Sequence, residues 1–211
     1  MKLKKIASLA LAGIMAVSIL TACGKGTNNS NSGSSSSQPT TASVVSTVKN
    51  AIADKNSDLV ITVEENTALN NVMKKFNEDN SNIYPQVDEA TVRDGVLDDL
   101  FTNMGDNHKL LDSTKMTDFM NDLTTAGKTY WRYAIVSNGA GASADSVQTL
   151  AANAVAESMK DLQNVVVNTT SKDTVNIDYT MYVYEGSMVT NDNKTEPYVV
   201  VVLKGTSKAI V

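Results

Sequence analysis

Residues 174–184 read TVNIDYTMYVY, and this stretch decides the fold because its polarity alternates with a period of two. The residues on its apolar side are Val175, Ile177, Tyr179, Met181 and Val183. Such alternation is typical of an antiparallel strand with one buried and one wet face. After a turn at 191–194, YVVVVLK (Tyr198–Lys204) predicts a second, more buried strand.

Further strands and one long helix are predicted on the N-terminal side of this pair. TYWRYAIV (Thr129–Val136), VVVN (Val165–Asn168) and DLVITVE (Asp58–Glu64) are rich in β-branched or aromatic residues and predict strands. Between the first two, apolar residues recur at helical spacing over 146–163. Ser143 or Asp145 is placed to cap that helix.

Shorter helices are predicted in the first half of the chain. Apolar residues at helical spacing mark helices over 44–52, 68–76, 92–104 and 116–123. Asn66 or Thr67 is the expected N-cap of the second, and Asp112 or Ser113 that of the fourth. The sequence therefore predicts an α+β fold in which N-terminal helices and one long later helix pack on one face of a mostly antiparallel sheet.

The N-terminus has the features of an export signal. Three lysines within the first five residues precede an uncharged apolar run from Ile6 to Leu20, which is shorter than the roughly 20 residues that span a bilayer. Leu20-Thr21-Ala22-Cys23 follows, and Cys23 is the sole cysteine. This segment resembles the lipobox of bacterial lipoproteins, in particular Gram-positive surface lipoproteins. A source cell with two membranes is the open alternative. The resemblance implies cleavage before Cys23 and attachment of lipid, such as palmitate, to its thiol.

The segment after Cys23 predicts a tether. Residues 24–43 are rich in Ser, Asn, Gly and Thr and cannot bury enough apolar surface to order themselves. We therefore divide the chain into a signal peptide (1–22), a lipidated cysteine with its tether (23–42) and one α+β domain (43–211). The expected location is the extracytoplasmic face of the cell membrane, with the lipid as anchor.

The charge of the domain restricts its partners. All 23 acidic residues follow Ser43, whereas four of the 18 basic residues precede it, so the domain carries a net charge of −9. Most of this excess lies in the helical half, between Asp54 and Asp122. Nucleic acid is therefore not an expected partner.

A glycine-rich loop resembles a cofactor motif. Gly139-Ala140-Gly141-Ala142-Ser143-Ala144 fits the GxGxxA form of the dinucleotide fingerprint, between a predicted strand and a predicted helix. That site needs an acidic residue at the end of the next strand, where this chain has Asn168, Thr169 or Thr170. We expect the loop to serve as a turn and helix start, and we predict no cofactor.

One acidic segment resembles a calcium-binding loop. Asp54, Asn56, Asp58 and Glu65 occupy positions one, three, five and twelve, as the oxygen ligands of EF-hands and dockerins do. Leu59 stands where those loops need glycine for their turn. We expect no metal site, with these four residues as the candidate ligands if calcium binds.

Aromatic residues concentrate in the predicted sheet. Trp131, Tyr133, Tyr182 and Tyr184 are the candidate ligand-binding residues, because exposed aromatics on a rigid sheet stack on sugar rings or anchor a protein partner. The alternative is that β propensity and core packing alone explain them.

Catalytic groups are few. His108 is the only histidine and is expected in a solvated loop, and the domain has no cysteine. The sequence therefore predicts a membrane-anchored lipoprotein whose domain binds a glycan or an envelope protein without catalysis. The alternative is a cell-envelope hydrolase that uses carboxylates.

Overall fold

The structure is a computed structural model and describes residues 41–79, 108–139, 141–189 and 193–210. Its helices are α1 (Thr41–Lys55), α2 (Thr67–Asp79), α3 (Met116–Asp122) and α4 (Ala144–Met159), with a 3₁₀ turn at Ser113–Lys115. Its strands are β1 (Ile61–Glu64), β2 (His108–Leu110), β3 (Thr129–Ser137), β4 (Val165–Val167), β5 (Thr174–Val189) and β6 (Thr195–Ala209). The predicted helix over 92–104, the export signal, the tether up to residue 40 and residues 191–192 of the predicted turn lie outside the described residues. Residues 41–42, predicted as the end of the tether, form the start of α1 instead.

The strands form one open sheet in the order β1-β5-β6-β3-β2, with β4 also paired to β5. The β5–β6, β3–β6 and β4–β5 pairs are antiparallel, whereas β1 runs parallel to β5 and β2 parallel to β3. The predicted α+β class with a mostly antiparallel sheet is confirmed.

The long hairpin of β5 and β6 forms the centre of the sheet. Its register runs from Val175 opposite Ala209 to Val189 opposite Thr195. The odd-numbered residues of β5 from Val175 to Glu185 are buried, as the alternation predicted. The even-numbered residues from Thr180 to Gly186 are half-buried, so this side of the strand is less exposed than the predicted wet face.

Helices α1 and α4 cover the odd-numbered side of the hairpin. Gln148 on α4 reaches Glu185 on β5, which fixes the face against which α4 packs. The two helices contribute Val44, Val48, Ile52, Val147, Ala151, Val155 and Met159 to the core. Their spacing of four residues puts these side chains on one side of each helix.

Helix α2 packs on the opposite face, so the expectation of helices on one face is wrong. Leu69 and Met73 are buried in a cluster with Tyr198, Val200 and Val202, the even-numbered residues of β6. Asn66 caps the helix by accepting a hydrogen bond from the Leu69 backbone N–H at 3.0 Å. The apolar stripe of α2 was readable from the sequence, but a stripe fits either face of a sheet.

Helix α4 begins as predicted but ends before residue 163. The Ser143 side chain accepts from the Ser146 backbone N–H and caps the helix. At the other end, the Asn56 amide donates to the carbonyls of Met159 and Leu162, each at 2.9 Å. A side chain of the α1–β1 connection therefore donates to these carbonyls, in place of the backbone N–H groups of a further helical turn.

Candidate functional site

The face of the sheet that α2 partly covers carries the predicted binding residues. In register across β5, β6 and β3, one row consists of Thr180, Lys204 and Trp131. The next row consists of Tyr182, Val202 and Tyr133, followed by Tyr184, Val200 and Ile135. The face therefore changes from polar at one end to apolar at the end beneath α2.

The apolar end is closed by α2 and by a hydrogen-bonded tyrosine pair. The Tyr184 and Tyr198 rings have centroids 6.1 Å apart. The Tyr198 hydroxyl donates to Asn77 Oδ1 at 2.6 Å, and Asn77 Nδ2 donates to the Tyr184 hydroxyl at 3.1 Å. Burial raises the pKa of both tyrosines, so both hydroxyls stay neutral. This end of the face is interior structure.

The polar end forms what we call the Trp131 patch. It consists of Glu64, Thr129, Trp131, Thr180, Tyr182, Lys204 and Thr206. Glu64 is exposed, and the other six are half-buried. Each lies on a strand with backbone hydrogen bonds to a neighbour, so the positions of their Cα atoms are fixed by the sheet.

Contacts within the Trp131 patch orient its side chains. The Lys204 ammonium lies 5.4 Å from the Trp131 ring centroid, within the range of a cation–π interaction. The Trp131 and Tyr182 rings are tilted by 33° with centroids 6.5 Å apart. Across the strands, the hydroxyls of Thr129 and Thr206 lie 3.3 Å apart.

The ionisation of Tyr182 follows from its surroundings. Burial raises its pKa, and the negative charge of Glu64 raises it further. The phenol therefore stays protonated at neutral pH and can both donate and accept a hydrogen bond. Together the patch offers two aromatic rings, one anionic group, one cationic group and several hydroxyls.

The four predicted binding residues do not share one environment. Trp131 and Tyr182 lie in the Trp131 patch, whereas Tyr184 lies at its border and bonds to Asn77. Tyr133 is only 5% exposed and packs in the cluster with Leu69 and Met73. For Tyr133 the packing alternative therefore describes the structure better.

Sequence reasoning missed Lys204, Thr180 and Glu64 as neighbours of these aromatics. Lys204 ends the YVVVVLK run, and Glu64 ends a short strand that pairs with β5 in parallel. Alternation gave the side of β5 on which Thr180 lies, but only the pairing register brings it level with Trp131. Local periodicity contains no signal for that register.

Two buried carboxylates bear on the hydrolase alternative. Gln148 Nε2 lies 2.9 and 2.8 Å from the two carboxylate oxygens of Glu185, and burial raises the pKa of Glu185. Glu196 is 2% exposed and accepts from the Ser137 hydroxyl at 2.6 Å. Glu185 lies on the α4 side of the sheet and Glu196 on the α2 side, next to Met188 in register. These two carboxylates therefore cannot flank one glycosidic bond, as a paired mechanism requires.

The calcium candidates do not converge. The Asn56 amide donates to the carbonyls of Met159 and Leu162 at the end of α4. Strand β1 begins at Ile61, so the segment from Asp54 to Glu65 is not a single loop. Asp54 and Asp58 are exposed, and Glu65 accepts from Asn70 at 3.4 Å. In the described ranges, no three His, Cys, Asp or Glu residues are grouped closely enough to hold a metal ion.

The glycine loop forms the expected turn and helix start, whereas His108 does not lie in the expected loop. Gly139 and Gly141 have φ angles of 83° and 85°, which glycine adopts without strain, and Ser143 then starts α4, as expected for a turn and helix start. His108, expected in a loop, is the first residue of β2 and pairs in register with Trp131. The expectation of a loop is therefore wrong. Three residues are too few to show the alternation of polarity by which a strand is recognised in a sequence.

A surface cavity of about 590 Å³ lies between the α1–β1 and α4–β4 connections. Its lining includes Asp58, Val60, Lys160, Asp161 and Asn164. Asn164 is committed to backbone groups, since its amide pairs with Val60 and also donates to the Ile177 carbonyl at 2.9 Å. The cavity lacks an aromatic side chain and is a poorer ligand site than the Trp131 patch.

Comparison with protein-family models, with curated proteins and with solved structures finds no match to this chain. Within the part of the chain that the structure describes, no helix is both long and apolar enough to cross a bilayer.

Proposed function

We propose that this protein is a lipid-anchored extracytoplasmic lipoprotein whose domain binds an uncharged envelope glycan through the Trp131 patch, without catalysis. The proposal of a glycan as the ligand rests on one observation. Trp131 is half-buried on a central three-strand row with Lys204 and Thr180, so part of an aromatic side chain reaches solvent beside hydrogen-bonding groups on neighbouring strands. Sugar rings are recognised by this combination of an aromatic platform and flanking polar side chains.

The balance of charge supports an uncharged glycan. Glu64 and Lys204 give the Trp131 patch one group of each sign, while the domain as a whole carries a net charge of −9. A polyanionic polymer would be repelled by that field, and its affinity would depend steeply on salt. A neutral oligosaccharide avoids the repulsion and can use both charged groups as hydrogen-bond partners.

The anchor is supported by the sequence alone. The basic start, the apolar run and the sole cysteine of Leu20-Thr21-Ala22-Cys23 follow the order of a lipoprotein signal. Two acyl chains on one cysteine hold a protein at a membrane, whereas a single chain gives only reversible binding.

The glycan proposal is tested on the full chain carrying Cys23→Ala, with isolated envelope polysaccharide and a panel of neutral oligosaccharides as probes. Trp131 is the only tryptophan, so its fluorescence reports on the patch directly. We expect binding to shift its emission in the wild-type chain. Affinities of all variants are compared by titration calorimetry, which needs no tryptophan, and Trp131→Ala should weaken binding by at least about tenfold, as for an interface hot spot. Tyr182→Ala should weaken binding as well.

Tyr130→Ala is the matched control for these variants. Tyr130 neighbours Trp131 on β3 but lies on the other face of the sheet, level with Gly205. It should leave affinity unchanged. Retained affinity in Trp131→Ala, or capture of envelope proteins but of no glycan by the wild-type chain, would refute the proposal. Release of new reducing ends from the bound glycan would instead support the hydrolase alternative.

The location is tested separately in cells. Cys23→Ala should move the protein out of the membrane fraction, because no acyl chain can then be attached. Cys23→Ala protein that has lost residues 1–22 and still pellets with the membranes would contradict the lipid anchor and leave the glycan test unaffected.

A further inference from the structure

The outer edge of β4 has free backbone groups. Asn168 N–H donates to Asp173 and Ile177 N–H donates to Asn164, so in an antiparallel ladder Val166 is the residue whose N–H and C=O also face β5. The backbone groups of Val165 and Val167 therefore point away from β5. In the described part of the chain these groups have no hydrogen-bond partner.

Apolar side chains gather at the same edge. Val165 and Val167 are each 52% exposed and lie on one side of β4. Val60, which bonds to Asn164, and Ile210, whose N–H donates to Thr174 next to β4, are also exposed. Three of the five large apolar residues that are exposed in the described ranges, Val60, Val165 and Val167, thus lie at or beside β4, whereas Ile210 lies on the β6 side of β5 and Val189 at the far end of β5. The strand also lacks the lysine, proline or bulge that usually protects an edge.

We propose that the outer edge of β4 pairs with the same edge of a second copy of this chain. The sequence Asn164-Val165-Val166-Val167-Asn168 is a palindrome centred on Val166. In an antiparallel pairing about that centre, Val165 lies opposite Val167 of the second copy, and Val166 lies opposite its own equivalent. The outward N–H and C=O groups of Val165 and Val167 then form four intermolecular hydrogen bonds related by a two-fold axis.

The palindrome favours a second copy over other occupants of the edge. Every residue meets an identical or equivalent partner, and the five-residue segment carries no charge that would oppose itself. The Ser- and Asn-rich residues 24–43 of the same chain offer no comparable apolar side chains. The inference does not depend on the proposed glycan binding, because the Trp131 patch lies on other strands.

The pairing is weak because the edge is short. Stable complexes bury about 1,200–2,000 Å² in total, more than a three-residue strand supplies. We therefore expect self-association at protein concentrations on the order of 0.1–1 mM. Sedimentation equilibrium and small-angle scattering of the full Cys23→Ala chain measure it directly.

Two double variants test the register. Val165→Lys with Val167→Lys places lysine opposite lysine and should weaken dimerisation by at least about tenfold, whereas Val165→Lys with Val167→Glu places opposite charges together and should restore it. Val189→Lys is the matched control, because Val189 is exposed at 39% and lies at the far end of β5. It should dimerise like the unsubstituted chain. Circular dichroism checks that all variants are folded.

A cysteine at the centre gives an independent measurement. Val166→Cys in the Cys23→Ala chain should form a disulfide-linked dimer under mild oxidation, because opposite residues that exchange no hydrogen bonds have Cα atoms about 4.5 Å apart. A concentration-independent monomer up to about 1 mM, or equal dimerisation of the two double variants, would overturn the proposal. Loss of dimer in both double variants would overturn it too.

Discussion

The side chain of Asn164 and the backbone of Val60 form two reciprocal hydrogen bonds, as two backbone segments do in a sheet. Asn164 Nδ2 donates to the Val60 carbonyl at 2.8 Å, and the Val60 N–H donates to Asn164 Oδ1 at 2.8 Å. The same amide donates to Ile177 on β5. Since β1 and β4 both pair with the same edge of β5, Asn164 joins them into one interrupted edge strand.

Replacing Asn164 should loosen this edge. Asn164→Ala removes all three hydrogen bonds, and we expect the free energy of unfolding to fall by about 1–3 kcal/mol. Chemical denaturation measures the change. Asn153→Ala, an exposed position on α4, should change stability by less than about 0.5 kcal/mol. Equal effects at the two positions would show that the bridging bonds contribute nothing.

Replacing Gly205 should overpack the contact between α3 and β6. A Cβ atom at Gly205 would lie 2.6 Å from Leu123 Cδ1 and 2.9 Å from Phe119 Cζ. Gly205→Ala is therefore expected to destabilise the domain by about 1–3 kcal/mol. Because Leu123→Ala removes one of the clashing atoms, the double variant should be less destabilised than the sum of the two single variants. Strict additivity in thermal or urea unfolding would contradict the steric explanation.

Replacing Asn77 should remove the hydrogen-bond acceptor of a buried hydroxyl. Asn77 is the hydrogen-bond acceptor of Tyr198, which is fully buried. We expect Asn77→Ala to cost about 1–3 kcal/mol of unfolding free energy. Tyr198→Phe removes the hydroxyl, so the further change Asn77→Ala should cost less than in the wild type, since only the hydrogen bond from Asn77 to Tyr184 is then lost. A full additional loss in the double variant would indicate that Asn77 stabilises α2 by other contacts.

Stability should depend on pH through Glu185. Burial raises the pKa of its carboxyl, the Gln148 hydrogen bonds oppose that rise, and Asp145 adds to it. The folded state therefore binds the proton more tightly than the unfolded chain does, so the contribution of Glu185 to stability rises as the pH falls from neutrality through the raised pKa. It levels off below the ordinary value of 4.5.

Glu185→Gln tests this dependence. The amide resembles the protonated carboxyl, so the variant should be more stable than the wild type at pH 7 and should lack the rise between pH 7 and 4.5. Glu64→Gln serves as a control at an exposed position and should keep the wild-type profile. Denaturant unfolding at several pH values measures both. Parallel profiles for Glu185→Gln and wild type would refute the prediction.

Periodicity predicted most elements and the fold class. The alternation at 174–184 identified β5 and its buried side, and Ser143 was one of the two predicted caps of α4. These features depend on residues within one turn or one strand, so a local pattern is enough to recognise them.

Long-range relationships were not predictable in this way. The placement of α2 across the sheet from α1 depends on the even-numbered residues of β6, which lie more than a hundred residues further along the chain. The strand pattern at 129–136 did not indicate that Arg132 is buried. Its guanidinium lies 4.5 Å from the Phe119 ring centroid and 3.5 Å from Asp122. Burial lowers the pKa of Arg132 while Asp122 opposes that change. Only the tertiary structure supplies these partners.

The parallel pairing of Ile61 with Tyr179 also constrains the order of folding. The partner of β1 lies roughly 120 residues later in the chain, and closing so large a loop is slow compared with forming the adjacent β5–β6 hairpin. We therefore expect the hairpin to form early and β1 to dock late. A nascent chain that stops before residue 174 leaves β1 without its neighbour, so the N-terminal part waits for the last strands to be synthesised.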